Sequence, residues 1–247
     1  MNAKRPRVLV VDPVHTHALD ELSKRCDVVY QPHPSREELI KLLDGIDVLV
    51  MRSGIQLPGD VIEQAQSLKV IARAGSGVDN IDINAASSRN ITVFNVPVVS
   101  ARSVAEHAFG LLLAVKRNIA LSDRWLRNNQ WRKGELCGYE LHGKVLGLVG
   151  YGRIGSEVAR IGKGFGMKID AHRKRDSEEI GKDMADEGVR LVSSLRELLR
   201  NSDMVILAVP LNNSTRNLIT MTELQMMKET SFLVNIARGG IVDEEDL

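Results

Sequence analysis

The sequence predicts an α/β fold made of two parallel-sheet domains. Short β-branched apolar runs recur along the whole chain, segments with helical features separate them, and a glycine-rich turn directly follows the sixth run. Strands that alternate with helices in this way favour a parallel sheet with helices on its faces. The chain has 247 residues, which is enough for two domains because a domain has roughly 100 to 200 residues.

The first five apolar runs are the predicted strands of the first domain. They lie at residues 8–11, 28–30, 48–51, 70–72 and 92–94. Between the second and third runs, Ser35 is followed three residues later by Glu38, the spacing of a capping box at the start of a helix. We place the boundary between the domains near Pro97, so that residues 1–98 form one domain and residues 99–247 the other.

The second domain opens with a long helical segment, residues 100–118, that is apolar on more than one side. This pattern predicts a buried helix that connects the two domains. A polar stretch with two tryptophans follows, and then five more strands are predicted at residues 145–149, 167–171, 189–192, 204–209 and 232–236. The common nucleotide-binding fold has six strands, so this count is one short.

Composition excludes several kinds of partner. Lys and Arg number 33 and Asp and Glu number 32, for a formal charge of +1, which argues against a nucleic acid or an anionic membrane surface. The longest apolar stretch, residues 108–115, is far shorter than a membrane span. Cys26 and Cys137 have no metal-binding spacing, so no metal is expected. We expect a cytoplasmic protein that binds a small molecule or a second copy of itself.

A G-x-G-x-x-G motif, formed by Gly150, Gly152 and Gly155, lies between an apolar strand and a helical segment. Gly150 permits a tight turn, Gly152 lets backbone N–H groups approach a pyrophosphate, and Gly155 lets the helix pack on the strand. The unpaired N–H groups at the start of the helix then hold the phosphates. The motif in this context predicts NAD or NADP as the cofactor.

The next strand lacks the acidic residue that usually binds the ribose of NAD. Arg173 occupies that place, and Lys174 and Arg175 follow it. Such a cationic cluster suits the 2′-phosphate of NADP, because an arginine can bind a phosphate through two hydrogen bonds. Arg173 therefore favours NADP. The alternative is a solvent-exposed basic turn, with Asp170 or Asp176 binding the ribose.

Seven segments in order along the chain resemble the D-isomer-specific 2-hydroxyacid dehydrogenases. They are MRSG at residues 51–54, VIARAGSGVDNIDINAA at 70–86, NVP at 95–97, SVAEHAFGLLLA at 103–114, the glycine motif, VPLNNSTRNLI at 209–219 and VNIARGGIVDEEDL at 234–247. The branch that oxidises phosphoglycerate is the most similar. The resemblance implies a flavodoxin-like substrate domain, a Rossmann dinucleotide-binding domain, and a homodimer formed through the second domain and the helix at residues 100–118.

The resemblance also implies the residues that bind substrate. Arg238 matches the catalytic arginine, whose rigid fork would hold the carboxylate and carbonyl oxygens of the substrate. Two loops complete the substrate site. The glycine-rich loop of Gly75, Ser76 and Gly77 would bind through its backbone N–H groups, and the second loop consists of Arg52, Ser53 and Gly54. The alternatives are a strand-to-helix turn before a cap at Asn80 or Asp82 for the first loop, and a solvated charge for Arg52.

A further set of residues is implied for the cofactor. Val104 would lie beside the nicotinamide, although periodicity alone favours a core position for it. The others are Arg153 and Ile154 at the pyrophosphate, Val209 and Pro210 beside the adenosine, and Thr215, Ile236, Ala237 and Arg238, which complete the site.

In this family a glutamate and an acid/base histidine lie beyond the arginine. Nine residues follow Arg238 and hold neither at its family position. We therefore expect a C-terminally truncated member, with both domains incomplete and little activity by itself. The activity implied is hydride transfer between NAD(P) and a D-2-hydroxy acid. The alternatives are an NADPH-dependent glyoxylate or hydroxypyruvate reductase and a non-catalytic protein that senses dinucleotides.

Overall fold

The computed structural model describes residues 5–174 and 184–247. The chain folds as two compact units, of which the first ends at Ser100 and the second begins at Ala101. This division lies close to the boundary predicted between residues 98 and 99. Each unit contains a five-stranded parallel sheet with helices between its strands, so the predicted α/β fold is confirmed.

The first sheet has the strand order β2-β1-β3-β4-β5, and every neighbouring pair is parallel. This is the flavodoxin-like order expected for the first domain. Its strands are β1 (Arg7–Val10), β2 (Asp27–Tyr30), β3 (Val48–Met51), β4 (Val70–Arg73) and β5 (Thr92–Asn95). The β-branched and leucine-rich runs form these strands because their side chains fill the core between sheet and helices, where Leu9, Leu49 and Ile71 are fully buried.

Four helices accompany this sheet: α1 (Thr16–Ser23), α2 (Arg36–Leu42), α3 (Gly59–Gln64) and α4 (Ile83–Ser88). The predicted capping box begins α2, since the Glu38 N–H donates to Ser35 Oγ at 3.3 Å and the Ser35 N–H donates to the Glu38 carboxylate at 2.8 Å. These hydrogen bonds lower the pKa of the Glu38 carboxyl. Asp82 caps α4 by accepting the Ala85 N–H at 2.9 Å.

The second sheet has the order β10-β9-β6-β7-β8, again all parallel. When β6 is numbered as strand 1 and the sheet is read from β8 to β10, the order is 3-2-1-4-5, which matches the first five positions of the Rossmann order. The strands are β6 (Val145–Val149), β7 (Lys168–His172), β8 (Val189–Leu191), β9 (Met204–Leu207) and β10 (Phe232–Asn235). The helices are α5 (Ala101–Lys116), α6 (Ile119–Arg127), α7 (Arg153–Gly164), α8 (Leu195–Asn201) and α9 (Met221–Leu224), with a 3₁₀ turn at Lys133–Glu135.

Helix α5 packs against α7 in the core of the second unit. Phe109 on α5 is buried and stacks on Phe165, with ring centroids 5.3 Å apart. Gly162 lets α7 lie close to the sheet, because a Cβ there would lie 2.9 Å from the Ile169 side chain and 3.0 Å from that of Leu146. The burial of the Phe109 ring contributes about 2 kcal/mol. The glycine and the aromatic ring therefore hold α7, and the loop before it, on the sheet.

Two expectations for α5 are corrected. The helix ends at Lys116 rather than at residue 118, because Asn118 has a left-handed φ of 54° and starts α6 instead. The helix is also not buried all round, since Leu111 is 40% and Val115 is 58% exposed. At 16 residues it is the longest helix in the described part of the chain. No helix in that part is long and apolar enough to cross a membrane.

The acidic segment after Arg238 forms a turn rather than the start of a helix. Asp243 Oδ1 accepts the Glu245 N–H at 3.2 Å, and Asp246 Oδ2 accepts the Met221 N–H at 2.7 Å. The segment thus supplies a carboxylate to the first residue of α9, where the helix dipole favours a negative charge.

Candidate functional site

The candidate cofactor residues lie on the loops that follow the strands of the second sheet. Strands of a parallel sheet all end at the same edge, and ligands bind there, where the strand order reverses. This edge carries the glycine turn after β6, Arg173 after β7, Val209 and Pro210 after β9, and residues 236–238 after β10. The structure therefore brings parts of four distant segments to one edge of one sheet.

The glycine turn is too tight for a side chain at two of its positions. Gly150 has a φ of +98°, and a Cβ there would lie 2.8 Å from the Ala208 carbonyl oxygen. A Cβ on Gly155 would lie 2.5 Å from the Gly150 carbonyl oxygen. The Gly150 N–H donates to the His172 carbonyl at 2.8 Å, which joins the turn to the end of β7. The geometry of the turn therefore requires glycine at the first and third positions of the motif.

The start of α7 presents backbone N–H groups to open space. Gly152 is its N-cap residue and supplies no side-chain hydrogen bond, and no atom lies within 4 Å of the position that its Cβ would occupy. Arg153 is exposed and Ile154 is half-buried. The first N–H groups of a helix have no partner within the helix and carry a partial positive charge. This cradle, which a side chain at residue 152 would fill, fits the pyrophosphate of a dinucleotide.

A pocket of about 270 Å³ adjoins the glycine turn. Arg173, which directly follows the end of β7, contributes to its wall. Lys174 is exposed and is not among the described residues of the wall. The wall consists of Tyr151, Gly152, Arg153, Ser156, Arg173, Met184 and Glu187.

Asp170 is the wrong candidate for the ribose-binding acid. Its side chain is buried within β7, where Arg190 of the neighbouring β8 donates to both carboxylate oxygens, at 2.9 and 2.5 Å. A carboxylate engaged by a two-pronged ion pair in the sheet is not available to a ribose. The other alternative, Asp176, and the third cation, Arg175, lie outside the described residues.

The loop after β9 is held by its own threonine. The Thr215 hydroxyl donates to the Pro210 carbonyl at 2.6 Å and accepts the Asn212 N–H at 2.9 Å. Val209 is half-buried beside Gly150, where a Cβ would lie 2.9 Å from Val209 Cγ1. Thr215 therefore shapes the loop that presents Pro210, and its hydroxyl proton is used inside that loop.

Arg238 lies on a turn that Asn235 holds from both sides. Asn235 Nδ2 donates to the Arg238 carbonyl at 2.8 Å, and Asn235 Oδ1 accepts the Ala237 N–H at 3.0 Å. The Ile236 N–H donates to the Leu207 carbonyl at 3.3 Å, which extends the pairing of β10 with β9. Arg238 is half-buried, and its Nη1 donates to the Ala237 carbonyl at 2.8 Å. Sequence reasoning missed Asn235, whose role depends on the shape of the turn.

Val104 lies on the first turn of α5. It is half-buried, whereas Ala101 and Ala105 beside it are buried. The side chain is therefore at the margin of the core rather than inside it, which leaves part of its surface available to a ligand.

In the first unit, two buried polar residues hold the loop that carries Arg52. The Arg52 N–H donates to Asp12 Oδ2 at 2.5 Å, and Asn80 Nδ2 donates to the carbonyls of Arg52 and Ile55 at 2.9 and 2.8 Å. Asp12 is 2% and Asn80 is 5% exposed. A Cβ on Gly54 would collide with the Asp12 carboxylate. This loop follows β3, beside β1, where the strand order of a flavodoxin-like sheet reverses and ligands bind.

Arg52, Ser53 and Gly54 are exposed on this loop. Arg52 Nη1 donates to the Pro13 carbonyl at 3.3 Å, so the guanidinium contacts the loop after β1 while it stays exposed. Sequence reasoning did not find Asp12 and treated Asn80 only as a helix cap. Their contacts with the Arg52 loop join residues that are far apart in the chain.

The loop with Gly75, Ser76 and Gly77 follows β4 of the same sheet and is half-buried. A Cβ on Gly75 would collide with the guanidinium of Arg73, which is buried, so the arginine side chain would have to move. Asn95 Nδ2 donates to the Ser76 carbonyl at 2.7 Å. The Gly75 N–H donates to the Arg73 carbonyl at 2.8 Å, which closes the loop directly after β4. Since Asp82 also caps α4, the loop serves as a strand-to-helix turn as well.

Comparison with known proteins decides the family. Residues 109–247 match the family described as D-isomer specific 2-hydroxyacid dehydrogenase, NAD binding domain. The chain belongs to the D-isomer-specific 2-hydroxyacid dehydrogenase family. The match covers most of the second unit, so the glycine turn and the loops beside it are part of an NAD-binding domain.

Relatives of this dehydrogenase family align over nearly the whole chain. The D-3-phosphoglycerate dehydrogenase of Methanocaldococcus jannaschii is 42% identical over 98% of this chain and 45% of its own length. The hydroxypyruvate reductase of Thermotoga maritima is 43% identical over 98% of this chain and 78% of its own length. Among solved structures, the D-lactate dehydrogenase of Aquifex aeolicus with NAD and lactic acid has a TM-score of 0.81 and 30% identity, over 97% of this chain and 71% of that one.

Proposed function

We propose that the chain binds NAD or NADP at its glycine turn and transfers a hydride between that cofactor and a D-2-hydroxy acid, with a phosphoglycerate-like acid as substrate. The observation that carries the proposal is the open start of α7, which lies at the same sheet edge as Arg238. When bound, the nicotinamide supplies or accepts the hydride. The name of the Methanocaldococcus jannaschii relative supports phosphoglycerate as the substrate class.

One set of residues in the second unit would hold the cofactor and take no part in the hydride transfer. N–H groups at Gly152, Arg153 and Ile154 bind the pyrophosphate, and Gly150 and Gly155 keep the turn close to it. Apolar and loop residues then enclose the two ends of the cofactor and exclude water from them. These residues are Val104, Val209, Pro210, Thr215, Ile236 and Ala237.

Cations and N–H groups would hold the substrate acid. Arg238 binds carboxylate and carbonyl oxygens and stabilises charge on the carbonyl oxygen as the hydride moves. The loop of Gly75, Ser76 and Gly77 would bind the carboxylate through the N–H groups of Ser76 and Gly77, because the Gly75 N–H donates to the Arg73 carbonyl at 2.8 Å. Arg52, with Ser53 and Gly54, binds the phosphate or a second carboxylate.

Cofactor and substrate binding test this proposal directly. NADH or NADPH is titrated into the purified chain, and its fluorescence is followed with and without 3-phosphoglycerate. We expect saturable binding that Gly152→Val abolishes, and a weakening of 3-phosphoglycerate binding by roughly tenfold or more in Arg238→Ala, because the lost ion pair is charge-assisted. Exposed Arg127→Ala serves as the matched control. No saturable binding of either cofactor, or unchanged acid binding in Arg238→Ala, would contradict the proposal.

A second candidate is an NADPH-dependent glyoxylate or hydroxypyruvate reductase. The position of Arg173 in the wall of the pocket beside the glycine turn favours it, because a guanidinium there suits a 2′-phosphate. The name of the Thermotoga maritima relative supports this substrate class. Arg173→Ala should weaken NADPH binding by about tenfold and leave NADH binding within about twofold. Tighter binding of NADH than of NADPH by the unchanged protein would argue against it.

We further propose that the protein acts as a homodimer in the cytoplasm. Exposed apolar side chains on α5 and α6 support the dimer, since Leu111, Val115, Ile119 and Leu126 are 40% to 58% exposed. The free thiols of Cys26 and Cys137 are compatible with a reducing compartment. Sedimentation of the unchanged protein and of Val115→Glu tests the dimer: we expect twice the chain mass and then the monomer mass.

A further inference from the structure

Glu187 brings a negative charge to the pocket that Arg173 also lines. Both side chains belong to the wall beside the glycine turn, although Glu187 comes from the segment just before β8. The Tyr151 hydroxyl donates to the Glu187 carboxylate, and Lys163 Nζ donates to the Glu187 carbonyl. The Gly188 N–H closes the adjacent turn onto the Ala185 carbonyl at 2.8 Å. Hydrogen bonds to both the side chain and the backbone of Glu187 therefore hold its carboxylate at the pocket.

Tyr151 is suited to orient this carboxylate. It lies between the first two glycines of the motif, so its backbone is fixed by the same turn that forms the phosphate cradle. Burial raises the pKa of the Tyr151 hydroxyl, and the hydrogen bond to Glu187 raises it further. The phenol thus stays protonated and remains a donor to Glu187 over the physiological pH range.

We propose that Glu187, positioned by Tyr151, supplies the acid that β7 lacks: it accepts hydrogen bonds from the ribose hydroxyls of NAD and opposes the 2′-phosphate of NADP. This inference rests on the proposed binding of the dinucleotide at the glycine turn. Arg173 attracts the 2′-phosphate and Glu187 repels it, so the two side chains together set the relative affinity for NAD and NADP. The protein then binds both cofactors instead of excluding one of them.

The difference between the adenosine ribose of NAD and that of NADP supports this assignment. A ribose diol offers two hydroxyl donors, and a carboxylate is the acceptor that suits them. A 2′-phosphate offers only acceptors and negative charge, so a carboxylate in the same pocket weakens its binding. Asp170 cannot take this role, because Arg190 engages both of its oxygens.

The test compares NADH and NADPH titrations of the 247-residue chain and three variants by fluorescence. Glu187→Gln should strengthen the binding of NADPH relative to that of NADH by about tenfold, because it removes a negative charge near the 2′-phosphate. Tyr151→Phe should shift the ratio of the two dissociation constants the same way by roughly threefold, since the carboxylate stays but loses its donor. Asp186→Asn is the matched control, since it removes one negative charge at an adjacent exposed residue that is not in the described wall of the pocket.

Salt separates direct repulsion from a general loosening of the loop. The shift caused by Glu187→Gln should shrink at about 0.5 M NaCl because salt screens the charges, whereas a loosened loop would weaken both cofactors at every salt concentration. An unchanged ratio in Glu187→Gln, or an equal shift in Asp186→Asn, would overturn this inference alone. No binding of either cofactor to the unchanged chain would overturn the proposed function and this inference together.

Discussion

At the edge where the strands begin, the two sheets are held in the same way. Asp47 accepts the Arg7 N–H of β1 at 3.0 Å and the Lys69 ammonium at 2.7 Å. In the second unit, Asp203 accepts the Val145 N–H of β6 at 2.8 Å and the Lys228 ammonium at 2.9 Å. In each case an aspartate before one strand holds the first residue of a neighbouring strand and a lysine that lies shortly before the next strand in the chain.

At the opposite edge, where ligands are proposed to bind, the two units differ. In the first unit, the buried side chains of Asp12 and Asn80 hold the Arg52 loop through hydrogen bonds. In the second unit, the absence of side chains at Gly150 and Gly155 shapes the turn. The difference follows from the proposed ligands: a small acid needs charges at fixed places, whereas a pyrophosphate needs close approach to the backbone.

The largest effect is expected where the glycine turn is broken. Gly150→Ala would force a Cβ to within 2.8 Å of the Ala208 carbonyl at a positive φ. We expect the free energy of unfolding to fall by about 2–4 kcal/mol and cofactor affinity to fall by at least about a hundredfold, because the N–H groups of α7 would move. Chemical denaturation and NADPH titration measure the two effects.

Gly164 provides the matched control for that change. It is the last residue of α7, and no atom lies within 4 Å of its Cβ position. Gly164→Ala should leave cofactor binding unchanged and alter stability by less than about 1 kcal/mol, because alanine favours a helix. Equal effects of the two alanines would show that the turn at Gly150 does not depend on a missing side chain.

A smaller effect is expected from the polar anchor of the first unit. Asn80→Ala removes two hydrogen bonds from a buried amide and should lower the free energy of unfolding by about 2–3 kcal/mol. Weaker binding of 3-phosphoglycerate should accompany this loss, because the Arg52 loop would no longer be held. Asn84→Ala, at an exposed position of α4, should change stability by less than about 0.5 kcal/mol. Similar unfolding curves for the two variants would refute the role of Asn80.

The smallest effect concerns the edge that the two sheets have in common. Burial alone would raise the pKa of the Asp203 carboxyl, but the hydrogen bonds from the Val145 N–H and the Lys228 ammonium outweigh it and hold that pKa below its usual 3.8. A lowered folded-state pKa stabilises the protein above pH 3.8 and loses this effect as the pH falls through the folded value. We expect Asp203→Asn to cost about 1–2 kcal/mol near neutral pH.

The pH dependence checks this assignment. The difference in free energy of unfolding between the unchanged protein and Asp203→Asn should shrink as the pH falls below 3.8 and through the lower folded-state pKa, because the carboxyl then becomes neutral like the amide. A difference that stays constant over this range would mean that the carboxylate charge is not involved. Urea unfolding at several pH values measures the difference.

The strands could be predicted because their signal is local. Each apolar run lies within two residues of an observed strand, since buried strands of a parallel sheet are almost continuously apolar. The end of α5 was missed because it depends on the left-handed conformation of Asn118, which propensity does not specify. Asn118 is held there by donating from Nδ2 to the Cys137 carbonyl at 3.0 Å, a contact with a distant residue.

Candidate site residues could likewise be predicted where their signal is local in the sequence and were missed where it depends on distant residues. The glycine turn is recognisable because three glycines and a strand stand close together in the sequence. Asp12 and Glu187 were missed because their partners, Arg52 and Tyr151, lie 40 and 36 residues away. Asp170 was considered as a ribose ligand because the sequence alone does not show that Arg190 lies opposite it on the neighbouring strand β8.

The ion pair between Arg190 and Asp170 also protects the sheet from other proteins. Strand β8 has only three residues and is at the outer edge of the second sheet in the described part of the chain. An open strand edge is a template for aggregation, and a charged side chain on it discourages another strand from pairing. Arg190 keeps its charge at this edge by bonding Asp170 and, at 3.1 Å, Glu197. Its replacement by an apolar residue would therefore lower solubility before it changed ligand binding.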